Sequence, residues 1–427
     1  MRFIGFNLEP EPYEPFEPFE PMNVVSVSWA DHLVFGDEDG RLDTPEKLAR
    51  RIRVWRAELG AGVLHWRVLR TRIAGRFHAA RGYRHPSLTA SQSLAWDDFQ
   101  QVPPLAHEAG LEAWLYVTVF DDGWPLAPAR ERARSHHNAM HGQHVAWQSE
   151  LTRLHPEWLV VDRAGRTRQR GVLSLSYPEA RRALIDRWTG LIAPTRFDGL
   201  FLCLRSQSRP ADHGDQFGFN EPVRADFRAR YGVDILSDEF DLQAWRDLQG
   251  EYITMLLRGL RHELDRRGLP DRRIGVGVVR GDVLGPPLGN TTLHWRDWIG
   301  TGLIDHLIVD QNSSQCPSMW HQLWPMHRGT GYLPNYLDGQ GLPPLPDHLR
   351  NAYAPAVEGS TTQLFVARQW RQRCADEERE LCAIPGVAGL VFSSFRHDNP
   401  AAIARGDWRA GAPRQQSSMS GSRTLSR

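Results

Sequence analysis

The segment 197–210 constrains the fold most. Asp198-Gly199 opens an apolar run, Leu200-Phe201-Leu202-Cys203-Leu204, that stops abruptly at Arg205-Ser206-Gln207-Ser208-Arg209. An apolar run without polar alternation reads as a strand buried on both faces, as in a parallel sheet. A buried strand whose carboxyl end breaks into polar groups is how an α/β barrel presents its chemistry. The plainer reading is a strand followed by an ordinary surface loop. Recurrence of the pattern along the chain decides between them.

It recurs. Strands are predicted over 23–29, 62–68, 111–120, the segment just described, 273–279, 304–309, 363–367 and 387–392. Several end in polar clusters: Asp31-His32, Asp121-Asp122, Arg280-Gly281-Asp282, Asp310-Gln311-Asn312, Arg368-Gln369 and Ser393-Ser394. Between them lie helical patterns at 44–59, 94–109, 179–193, 223–231, 241–267, 294–300 and 376–381. The first opens on Thr44-Pro45, a capping residue followed by proline at N1. In the longest, Trp245, Leu248, Tyr252, Met255, Leu256 and Leu260 step by three and four. Alternating strands and helices argue for parallel βα units. The predicted fold is α/β, a (β/α)8 TIM barrel with lid insertions. An open nucleotide-binding sheet would carry a Gly-rich loop after its first strand, and Trp29-Ala30-Asp31-His32 is not one. No cofactor is expected.

The predicted organisation is a Pro/Glu-rich arm at 1–22, a barrel over 23–410 with insertions at 126–178 and 313–361, and a Ser/Arg-rich tail at 411–427. Lys plus Arg and Asp plus Glu both total 51, and this balance argues against nucleic acid or an anionic membrane as partner. No stretch has the length of a membrane span, and no apolar leader is evident, so the expectation is a cytoplasmic protein. The four cysteines form no C-x-x-C pair, and reduced thiols are expected.

Four stretches carry a family resemblance: His155-Pro156-Glu157-Trp158-Leu159, Phe197-Asp198-Gly199-Leu200, Phe217-Gly218-Phe219 and Arg230-Tyr231-Gly232-Val233-Asp234. Together they resemble the family 10 glycosylhydrolase-like proteins, over about residues 22–400. The resemblance implies a TIM barrel related to bacterial hydrolases of polysaccharide or peptidoglycan glycans, with a carbohydrate partner. That family commonly has Asp-Gly-x-x-x-Asp on its fourth strand. Here the second carboxylate is replaced by Cys203. A role for it does not carry over, and the acid/base pair must lie elsewhere or be lost.

Glycoside hydrolysis usually needs two carboxyl groups flanking the bond, one with a raised pKa. In a barrel they belong at the carboxyl ends of strands. Asp310, beside apolar Val309, is the first choice, Glu221 its partner, and Asp122 the next candidate. Expected substrate contacts are His65, Arg67, Asp121, Trp124, Arg205, Asp282, Gln311, Tyr336, Trp370 and Arg396, with Trp124, Tyr336 and Trp370 stacking on sugar faces. For each carboxylate the competing role is a structural ion pair with one of the many arginines. Asp198 and Asp305 precede their strands and are expected to serve stability.

Two alternatives to the hydrolase stand beside it. One is a carbohydrate-binding barrel that has lost catalysis, as Cys203 would allow. The other is a metal-dependent hydrolase using His137, His141 and His144, which share a helical face but lack the interleaved carboxylate of H-E-x-x-H; no metal is expected there. No G-x-S-x-G elbow is present. A buried Cys203 in apolar surroundings would be inert as a nucleophile.

Overall fold

The computed structural model describes residues 22–27, 42–68, 78–79, 95–125, 145–166, 168–204, 217–284, 291–309, 343–368 and 375–394. The arm at 1–21, the histidines at 136–144 and the tail at 411–427 lie outside them.

Eight strands close a barrel: β1 (Asn23–Val27), β2 (Ala61–Arg67), β3 (Glu112–Thr118), β4 (Gly199–Cys203), β5 (Arg273–Gly277), β6 (His306–Val309), β7 (Gln363–Ala367) and β8 (Val387–Ser393). Neighbours follow chain order, β8 pairs with β1, and every pair is parallel. Described helices between them include α1 (Pro45–Leu59), α2 (Asp98–Glu108), α3 (Pro178–Ile192), α4 (Glu221–Tyr231), α5 (Leu242–Arg266), α6 (Trp295–Gly300) and α7 (Ala375–Cys382). This is a (β/α)8 barrel, as the alternation predicted.

Local chemistry sets the helix ends. Thr44 accepts from the Lys47 amide, Pro45 sits at N1, and Gly60 closes α1 in the left-handed region at φ 59°. Asp97 caps α2 and Asp241 caps α5 in the same way. The outer strand faces pack on these helices through Leu64, Leu115, Leu202, Val276, Leu307 and Val366. An inner cluster fills the barrel: Val24, Val63, Trp114, Tyr116, Phe201, Cys203, Ile308, Phe365, Ala367 and Val391. Trp114 is large for such an interior, and neighbouring strands make room with glycine. A Cβ at Gly199 would lie 2.8 Å from the Trp114 ring, and one at Gly275 would lie 3.0 Å from it.

The amino-terminal floor is clamped twice by one device. Asp198, just before β4, accepts from the Ala113 amide and His107 Nε2, both at 2.8 Å. Asp305, just before β6, accepts from the Ile274 amide at 2.7 Å and Arg261 at 2.8 Å. Each carboxylate ties the start of its strand to the preceding strand and to a helix. Both are structural, as their positions predicted.

The predicted insertions have structure of their own. Within 126–178, strand Val145–Gln148 pairs with Gly123–Pro125 and with His78–Ala79, and Leu159–Val161 forms a hairpin with Arg168–Leu173. Within 313–361, residues 345–357 are helical, in three successive segments, Leu345–His348, Leu349–Tyr353 and Ala354–Val357. That part is a helical layer leading into β7, not an open lid. Among the described residues no helix is long and apolar enough to cross a membrane.

Candidate functional site

Strand alternation decides which side chains reach the mouth. Inner positions run Val63, His65, Arg67 on β2; Trp114, Tyr116, Thr118 on β3; and Phe201, Cys203 on β4. Parity with Val24 and Val391 adds Ser26 on β1 and Ser393 on β8. Toward the carboxyl end this face changes from packed rings to small and polar groups. The Arg67 guanidinium caps the Tyr116 ring at 5.7 Å. Cys203, fully buried, pairs in register with Thr118 on one side and Gly277 on the other. The position at which the resembled family carries a carboxylate is thus an inward one at the mouth, and here it holds a thiol.

Asp121 and Asp122 follow β3 directly and are 1% and 2% exposed. The Thr118 hydroxyl donates to Asp121 at 3.3 Å. Asp122 receives two bonds from the Arg187 guanidinium, at 3.0 and 3.2 Å. Its amide donates to the Gly171 carbonyl, and its own carbonyl accepts from Ser149 and Thr152. Asp122 therefore fastens the 126–178 insertion to the barrel and to α3. A buried carboxylate needs a partner, and Arg187 supplies it, the structural ion pair weighed against a catalytic role for Asp122. Sequence alone did not point to Arg187, which lies on another helix.

Glu221 begins α4 and is three-quarters exposed, 3.9 Å from Arg224. Pro222 in the first turn and Gly232 at φ 70° bound that helix. Asp282 is exposed and accepts from Trp295 Nε1 at 2.8 Å and Arg296 at 2.9 Å. Trp124 lies on the strand Gly123–Pro125, but its side chain is outside the described residues. Arg205, Asp310, Gln311, Tyr336, Trp370 and Arg396 also lie outside them.

His65 departs from its expected place among substrate contacts. Its ring is fully buried in the barrel, stacked on Phe201 at 4.3 Å and tilted against Trp114 at 6.1 Å. His306, inward on β6, stacks on the other side of this group, 4.0 Å from Trp114. All four imidazole nitrogens lack a hydrogen-bond partner. Burial pushes the His65 pKa down to about 3 and holds His306 well below the usual histidine range. Both rings therefore pack as neutral aromatics under the mouth. An inward parity, not a surface loop, put them there.

Among the described residues no group of three or more His, Cys, Asp or Glu side chains could hold a metal ion. The histidines of the insertion lie outside them.

No family model matches the chain, and no curated protein matches it. Solved structures do. The glycoside hydrolase domain of PgaB (BpsB) from Bordetella bronchiseptica is 14% identical, with a TM-score of 0.50 over 90% of this chain and 97% of that one. Alpha-L-fucosidase isoenzyme 2 from Paenibacillus thiaminolyticus is 12% identical, with a TM-score of 0.47 over 91% of this chain and 50% of that one. At such identities the likeness is one of fold. The first supports the barrel fold that the resemblance implies, without singling out the family-10-like group.

Proposed function

We propose that the protein is a glycoside hydrolase of the family-10-like kind, acting on a polysaccharide or oligosaccharide at the carboxyl-terminal mouth of its barrel. One observation carries the reading: a closed barrel of glycosidase type whose inner face turns from packed rings to small and polar groups at that mouth. The acid/base pair proposed is Asp310 with Glu221. Asp310 directly follows Val309, the last residue of β6, in the sequence, and a barrel keeps its chemistry at the carboxyl ends of its strands. Glu221 opens α4 on the chain after β4, and its side chain is largely exposed. Asp122, engaged by Arg187, is the weaker candidate.

One carboxyl group protonates the leaving oxygen and the other activates water or attacks the sugar carbon. Arg67, Asp121, Asp282, Arg205, Gln311 and Arg396 would bind hydroxyls, with Trp124, Tyr336 and Trp370 stacking on ring faces. The test is release of reducing ends from a panel of oligosaccharides by the wild type and by Asp310→Asn.

A second reading has its own support. Cys203 occupies the inward end of β4, and Asp122 is tied into an ion pair, so the described mouth holds few free carboxylates. On that reading the barrel binds glycan and releases nothing. Binding without new reducing ends would favour it.

A further inference from the structure

The turn leaving β5, Arg280-Gly281-Asp282, rests against α6 and the helical segment Leu349–Tyr353. Tyr353 fixes it: the Gly281 amide donates to the Tyr353 hydroxyl at 2.9 Å, and the Gly281 carbonyl accepts from that hydroxyl at 3.4 Å. Trp295 stacks on Tyr353 at 4.5 Å, and the Arg296 guanidinium lies 4.0 Å over Trp295. The His348 ring packs on Tyr353 at 5.1 Å. Four side chains form one pillar beside the turn, at the rim of the proposed glycan site.

Charge on this corner is unbalanced. The Asp282 carboxylate is engaged by Arg296 and by Trp295 Nε1. Arg280 makes no ion pair among the described residues, and its buried Nε has no hydrogen-bond partner. Nδ1 of His348, a residue only 9% exposed, also lacks one. A guanidinium is always charged, and a buried donor without an acceptor is costly to maintain. Burial, then Arg280 and Arg296, hold His348 below the usual range, with Asp282 opposing. His348 thus keeps one ring nitrogen unused near a guanidinium that makes no ion pair among the described residues.

We propose that this corner binds the carboxylate of an acidic sugar unit, with Arg280 as its ion-pairing partner and His348 as a second donor. The planar guanidinium fork matches a carboxylate in two parallel bonds. The inference rests on the glycan-acting reading and names its substrate class, a glycan containing uronic acid.

Calorimetric titration of the full chain tests it, using trisaccharides of galacturonate, glucuronate and mannuronate, their neutral counterparts, and inorganic sulfate. An acidic trisaccharide should bind more tightly than its neutral counterpart. Arg280→Gln should weaken that binding by about tenfold or more, the loss of a charged hydrogen bond, and leave the neutral sugar unaffected. The His348 imidazole, followed by NMR, should titrate at higher pH with the acidic sugar bound. Neutral sugars binding as tightly as acidic ones, or unchanged affinity in Arg280→Gln, would overturn the inference while the glycan reading stands. Response to sulfate alone would mark a free-anion site and overturn it too. If no sugar in either series binds or is cleaved, the glycan reading fails and this inference falls with it.

Discussion

Acidification should unfold this barrel through its own interior, and His65 gives the size of the effect. In the folded chain the imidazole titrates at about 3, since burial among Trp114, Tyr116 and Phe201 disfavours its charged form. Unfolding returns it to its ordinary value of 6.5. Between these values the unfolded chain carries a proton that the folded chain does not. Stability therefore falls as pH drops through 6.5 toward 3, by about 1.4 kcal/mol per pH unit for one group. Going from about pH 7.5 to about pH 4.5 spans two such units, so His65 alone should remove about 3 kcal/mol. His306 acts with the same sign, with Arg273 and His65 as its charged or titratable neighbours. His65→Phe keeps a ring against Phe201 and removes the proton-binding site. Urea unfolding followed by tryptophan fluorescence at a series of pH values measures both proteins. Carboxylates contribute alike to each and cancel in the difference. The variant should lose about 3 kcal/mol less than the wild type over that interval. Parallel pH profiles would refute the argument that His65 is a neutral interior ring.

Three further outcomes follow from particular contacts. Asp122→Ala leaves the Arg187 guanidinium unpaired beside the barrel and should cost about 3–5 kcal/mol in a thermal melt, while the insertion, held by the backbone of residue 122, should stay as resistant to limited digestion as in the wild type. Asp305→Ala removes the acceptor of both Arg261 and the Ile274 amide and should cost about 1.5–3 kcal/mol by denaturant titration while glycan binding is unaltered. Cys203→Ser should leave any turnover unchanged, and the native thiol should resist alkylation until the chain unfolds, because it is fully buried among apolar neighbours.

The barrel was legible because its strands are mostly apolar runs without polar alternation and each is punctuated by polar or glycine residues. Asp198 and Asp305 were legible as floor residues from position alone, since each stands just before its strand. The direction of individual side chains was not. In a parallel strand buried on both sides, Gly62-Val63-Leu64-His65-Trp66 offers no polar alternation to tell inside from outside, so His65 read as a mouth residue when it packs beneath. Asp122 looked like a free carboxylate because its partner, Arg187, comes from α3, far along the chain. The helical layer at 345–357 was hidden by Pro343, Pro344, Pro346 and Pro355, which suggest a loop. Pro346 lies in the first turn, where the missing amide has no partner to lose, and Pro355 follows the wider π turn of Leu349–Tyr353.

Reducing-end release by the wild type and by Asp310→Asn, with glycan binding measured on the same preparations, bears most directly on the central claim. The wild type should cleave, and the variant should fold and bind but lose turnover by about a hundredfold or more. Equal turnover in the two proteins, or no glycan binding by either, would contradict it.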